Sequence, residues 1–188
     1  MTMSLRPELV DLDRTTASPD DSSARASSPY FVSDAETFLA AVGAQLTGAL
    51  VIRVGDPLLA EELASEAIAR AWADWAHVSV MENPTGWVFR VGLNLAASHW
   101  RRRAARRRID ERHLVRDDAV HLCTAEALVM RDAIAQLSEQ QQRVVILRFY
   151  VQMSVQETAD TLEVSTGTVK TQTSRAIARL RTMLNEDD

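Results

Sequence analysis

From residue 36 to residue 184, apolar side chains recur three or four positions apart, in stretches broken by turn residues, with no strand-like alternation. Phe38, Leu39, Val42, Leu46, Leu50 and Ile52 form the first stretch, behind Ser33 and Glu36 at capping-box spacing. Gly55-Asp56-Pro57 closes it with a C-terminal glycine, an N-capping aspartate and a proline at the next helix's first position. A second helix is predicted over 57–76, with Leu59, Leu63, Ala67, Ala71 and Trp75 in one stripe, followed by a loop over 77–82. Asn83-Pro84 restarts a helix by the same cap-then-proline logic. It runs through Trp87, Val91 and Leu95 into a cluster of arginines.

The period is lost over 106–124, where opposed charges crowd together, and it returns at Ala125. Leu128, Ala133, Ile134 and Leu137 predict one helix. Ser138 with Gln141 caps the next, whose inner side would carry Val144, Val145, Leu147, the stem of Arg148, and Tyr150. Ser154 with Glu157 opens a short helix ending at Leu162, and Ser165 caps a last helix reaching about Leu184. The expected fold class is all-α. Two small helical domains, 33–105 and 125–185, would be joined by a flexible linker over 106–124. The leader, 1–32, is rich in Ser, Asp, Pro and Thr and is expected to be disordered.

Composition agrees with two small domains: 188 residues, 46% of them apolar and 25% charged. No run approaches the ~20 apolar residues of a membrane span on this reading, and the N-terminus has no continuous apolar stretch. Neither membrane insertion nor secretion is therefore expected. The single cysteine, Cys123, fits a reducing cytoplasm. A net charge of -5 with pI ≈ 5.4 argues at first against nucleic-acid binding. Charge is segregated, however. Residues 99–116 hold eight arginines against Asp110 and Glu111, and residues 165–184 hold Lys170, Arg175, Arg179 and Arg181 with no acid. Binding responds to the field within a Debye length, ~8–10 Å, so the local charge outweighs the total.

The segment 154–181 has the spacing of a helix-turn-helix. Small Ala159 allows close helix approach, Leu162 and Val164 bracket a three-residue turn, and Val169 anchors the second helix. That helix would expose Thr168, Lys170, Thr171, Gln172, Ser174 and Arg175, hydroxyls, an amide and cations suited to base edges and phosphates. Glu163 occupies the turn position that needs φ > 0 and is usually glycine, at a cost of ~1 kcal/mol. Arg90, Asn94, Ala97 and Arg101 follow one another at steps of four, three and four, giving the 84–103 helix a polar, cationic face. Val88, Val91 and Leu95 would bury. Glu61, Glu62 and Glu66 form an acidic surface beside Leu63 and Ile68. No catalytic constellation or phosphate-binding loop is present in the sequence. His113, His121 and Cys123 lack a fourth ligand at plausible spacing, so neither a metal nor a cofactor is expected.

The run AIAQLSEQQQRVVILRFYVQMSVQETADTLEVSTGTVKTQTSRAIARLRTML resembles region 4 of extracytoplasmic-function (ECF) sigma factors of bacterial RNA polymerase. AEELASEAIARAWADW (60–75) and NPTGWVFRVGLNLAASHWRRR (83–103) resemble their region 2, in the right order and spacing. The resemblance implies that the 57–75 helix, through Glu61, Glu62, Leu63 and Glu66, docks on the core polymerase. It implies that Arg90, Asn94, Arg101 and Arg102, with the loop 79–83, meet the promoter's minus-10 element. Thr168, Lys170, Thr171, Ser174 and Arg175 would meet the minus-35 element. It further implies promoter-specific initiation inside holoenzyme, a cytoplasmic location, and an anti-sigma factor as a partner. Ser65 and Ser98 depart from the residues usual in the family. The alternative reading is a free-standing helix-turn-helix regulator, which would leave the Arg-rich helix and the NPTGW segment unexplained.

Overall fold

The computed structural model describes residues 35–107 and 125–185. The expected capping residue Ser33, the leader, and most of the linker, including His113, His121 and Cys123, lie outside them. Among the described residues the helices are α1 (Ala35–Val54), α2 (Pro57–Ala73), α3 (Trp75–Val78), α4 (Pro84–Arg107), α5 (Ala125–Ala135), α6 (Glu139–Val145), α7 (Val155–Leu162) and α8 (Thr166–Asn185), with no strand.

Local chemistry sets the borders. Gly55 takes φ 75°, and the Asp56 carboxylate accepts from the Leu59 N–H at 3.2 Å, with Pro57 starting α2. Asn83 Oδ1 accepts from the Gly86 N–H at 2.7 Å to open α4. Both predicted capping boxes form, Ser138 with Gln141 and Ser154 with Glu157. Two local features escaped the sequence reading. Trp75–Val78 forms a separate short helix where α2 was expected to continue. Beyond α6 the helix widens into a π turn over Ile146–Tyr150, and this rotates Tyr150 outward. Tyr150 was expected inside; it is 41% exposed.

Helices α1, α2 and α4 pack into the first domain. Leu46, Leu50, Phe89 and Leu93 are fully buried there, each contributing ~1.5–3 kcal/mol relative to exposure. With only Glu36 and Arg53 charged near its ends, α1 does have the length and hydropathy of a membrane span, contrary to the sequence expectation. Its Leu39, Val42, Leu46, Ala49 and Leu50 are instead buried in the domain core. Ile134, Leu137, Val145 and Ala176 make one cluster of the second domain; Val144, Ala159 and Val169 make another. Buried Gln142 joins α5 to α6. Its amide donates to the Leu137 carbonyl at 2.8 Å and the Ala135 carbonyl at 3.0 Å, acceptors left open by the end of α5.

Candidate nucleic-acid and polymerase interfaces

Helices α7 and α8 build the helix-turn-helix. Glu163 adopts φ 56°, ψ 45°, the left-handed conformation the sequence demanded of it. The Val164 N–H donates to the Ala159 carbonyl at 3.0 Å, and the Glu163 N–H donates to the Asp160 carbonyl at 3.3 Å. This is a Schellman closure, with Val164 packed back beside Ala159. Ser165 Oγ then accepts from the Thr168 N–H at 3.1 Å and caps α8. Val169 and Ala176 bury the inner side of α8, with Leu180 and Met183 packed along it. Lys170, Thr171, Ser174 and Arg175 are exposed on the outer side, and Thr168 is half-buried. The Thr171 hydroxyl donates to the Gly167 carbonyl at 2.9 Å, and the Thr168 hydroxyl lies 2.9 Å from Ser165 Oγ. Lys170, Ser174 and Arg175 remain turned to solvent.

On α4 the buried arc is rotated from the one expected. Val88, Phe89, Leu93 and Ala96 are fully buried, whereas Val91 and Leu95 are only half-buried. Ala97 was expected on the polar face and is 3% exposed. At 100° per residue it lies between Leu93 and Arg90, and its small side chain is covered by the core's edge. Asn94, Arg101 and Arg102 are exposed. Arg101 donates to Ser98 Oγ at 3.0 Å, and Arg103 lies 5.6 Å over the Trp100 ring. Arg90 is engaged in an ion pair with Glu163, from the helix-turn-helix turn of the other domain.

Along α2, Glu61, Glu62 and Glu66 are exposed, but Leu63 is 6% exposed and belongs to the core. Its expected place in a docking patch is therefore corrected: it shares the inward stripe of Ala60, Ala64, Ala67 and Ala71. Glu66 already pairs with Arg70 at 2.8 Å. The sequence reading missed a groove of ≈ 590 Å³ between α1 and α2, lined by Glu36, Leu39, Ala40, Ser65, Ile68, Ala69 and Trp72. Trp72 is 58% exposed at its edge. Where the domains meet, burial pushes the Arg53 guanidinium below the usual arginine range. Glu139 opposes that effect and Arg143 adds to it. Among the described residues no group of three His, Cys, Asp or Glu side chains could hold a metal.

Two helical domains, one a helix-turn-helix whose second helix, α8, bears cations and no acid, define an all-α DNA-binding protein. The sigma-70 region 2 family matches residues 38–106, and the sigma-70 region 4 family matches residues 127–180. The RNA polymerase sigma-E factor of Streptomyces coelicolor is 36% identical over 130 residues, covering 68% of this chain and 73% of that one. The ECF RNA polymerase sigma factor BldN of the same organism is 29% identical over 143 residues, covering 72% of this chain and 54% of that one. The sigma factor RpoE of Bartonella quintana, solved with the anti-sigma factor NepR, shares the fold with a TM-score of 0.71. It is 23% identical, and the match covers 81% of this chain and 97% of that one. The chain belongs to the sigma-70 family of RNA polymerase sigma factors, within its extracytoplasmic-function group, and directs promoter-specific initiation of transcription.

Proposed function

We propose that the two domains divide promoter reading between them while α2 holds the core polymerase. In this reading Asn94, Arg90, Arg101 and Arg102 of α4, with the loop before it, engage the minus-10 element. Thr168, Lys170, Thr171, Ser174 and Arg175 of α8 engage the minus-35 element. Glu61, Glu62 and Glu66, exposed on the same helix whose Ile68 and Trp72 edge the groove, contact the polymerase; exposed acids on a helix that also borders an apolar slot suit a basic partner helix. The observation that carries the reading is the solvent-facing row Lys170, Thr171, Ser174 and Arg175 on a capped helix whose opposite side is buried. The chain supplies specificity and the polymerase supplies catalysis, in the cytoplasm. An anti-sigma factor is proposed as a partner because the Bartonella quintana sigma factor was solved in complex with one. A free-standing regulator would leave the region 2 domain without a role.

The test is site-specific photocrosslinking in holoenzyme. A crosslinker at Asn94 is expected to label the minus-10 segment, and one at Arg175 the minus-35 duplex. Absence of DNA adducts from both positions, or exchange of the two targets, would overturn the assignment.

A further inference from the structure

The α1–α2 groove opens where the chain enters α1. Its lining combines small Ala40, Ser65 and Ala69 with the buried Leu39 and the broad Trp72. One turn beyond Ala40, the Ile68 side chain lies 3.6 Å from the place of a Cβ on Gly43, so the two helices draw together there. The open end is that of Glu36 and Trp72, at the N-terminus of α1. Trp72 is well over half exposed, which leaves on the order of 100 Å² of its surface for a partner.

The sequence supplies an occupant at that end. Tyr30-Phe31-Val32 is the longest apolar run in residues 1–34, and only Ser33 and Asp34 separate it from α1. The stretch from Tyr30 to Ala35 spans up to ~17 Å. The groove from Glu36 to Ala40 takes ~6 Å of α1. The run therefore reaches the whole groove by doubling back over the first turn of α1, and Ser and Asp favour the turn this needs. So short a tether also sets an effective concentration in the millimolar range. A contact too weak to join separate molecules is then filled within one.

We propose that Tyr30, Phe31 and Val32 occupy the α1–α2 groove of the free chain, their aromatic rings against Trp72. Docked there, they withhold Trp72 from the polymerase, and affinity for the core enzyme scales with the fraction of molecules whose groove is empty. That consequence rests on the assignment of α2 to the polymerase; the docking itself does not.

The test uses the full chain with Cys123→Ser. Phe31→Cys is paired either with Ala69→Cys in the groove or with Ala41→Cys, an exposed position one residue past Ala40 and turned ~100° from it. A disulfide needs Cα atoms within ~7 Å, so under oxidised glutathione the groove pair should close about ten times faster than the control pair. In chains carrying 5-fluorotryptophan, the Trp72 fluorine resonance is identified by its loss in Trp72→Phe. It should move in Phe31→Ser and hold its place in Phe31→Leu. A groove filled in about two-thirds to nine-tenths of free molecules lowers core affinity about three- to ten-fold, so joint Tyr30→Ser and Phe31→Ser should raise it by that factor. In the Trp72→Ala chain the same two changes should raise nothing. Equal trapping at Ala41 and Ala69, or a Trp72 resonance indifferent to Phe31→Ser, would overturn the docking. Disulfides formed only between chains would overturn it in favour of a second copy as occupant. Docking with unchanged core affinity would overturn the competition. If joint Glu61→Lys and Glu62→Lys then also left core binding intact, the fault would lie in the α2 assignment.

Discussion

Replacing Arg175 or Lys170 by alanine separates reading from gripping on one helix. The residues are five apart, ~140° around α8, so they cannot share a contact. Thr171, Ser174 and Arg175 lie together on the outer face, and Lys170 sits on its shoulder beside Ser174. A bidentate arginine contact to a base edge is worth ~1–3 kcal/mol, or about 5- to 150-fold in affinity. Arg175→Ala should therefore lose that much at the preferred minus-35 sequence and much less at variants already mismatched there. Lys170→Ala should weaken every sequence alike. Losing one phosphate contact lowers the salt slope by ~0.9, so the affinity ratio between 50 and 200 mM salt should shrink about 3.5-fold. The assay is holoenzyme binding to promoter fragments across minus-35 variants and salt concentrations. Equal loss from Arg175→Ala on every variant would refute the assigned face.

Gln142→Ala should destabilise the second domain by ~2–4 kcal/mol, since it removes two buried hydrogen bonds and leaves two helix-end carbonyls unmet; a denaturant titration followed by circular dichroism measures it. Joint Glu61→Lys and Glu62→Lys, both on exposed positions, should leave the folded state intact and weaken core-polymerase binding at least ten-fold in a competition assay. Trp72→Ala, which empties the edge of the α1–α2 groove, should weaken the same binding without lowering thermal stability by more than ~1 kcal/mol.

Punctuation was the most legible part of the chain. Asp56-Pro57, Ser138/Gln141 and Ser154/Glu157 each carry their own hydrogen-bonding logic, and each ends or begins a helix as read. Glu163 was legible too, because only a left-handed residue closes a turn that short. Errors came where a helix face had to be chosen within ~100°. Ala97 was assigned outward and is buried, Leu63 was given both to the apolar stripe and to the docking surface and belongs to the stripe, and Tyr150 was assigned inward and is exposed. A π turn, or a core edge that happens to cover an alanine, shifts a face without altering the sequence period. The contact between domains had no sequence signal of its own. Ile52 and Gly48, whose added Cβ would overlap the Tyr150 hydroxyl, look like ordinary helix residues until the second domain is laid against them.

The measurement that bears most directly on the account is run-off transcription by purified core RNA polymerase with and without this chain. Templates carrying promoter fragments should yield discrete transcripts only when the chain is present, and Asn94→Ala together with Arg175→Ala should abolish them. A core enzyme that stays silent with the chain added, while the free chain binds duplex DNA at nanomolar concentration and physiological salt, would contradict it and restore the free-standing regulator.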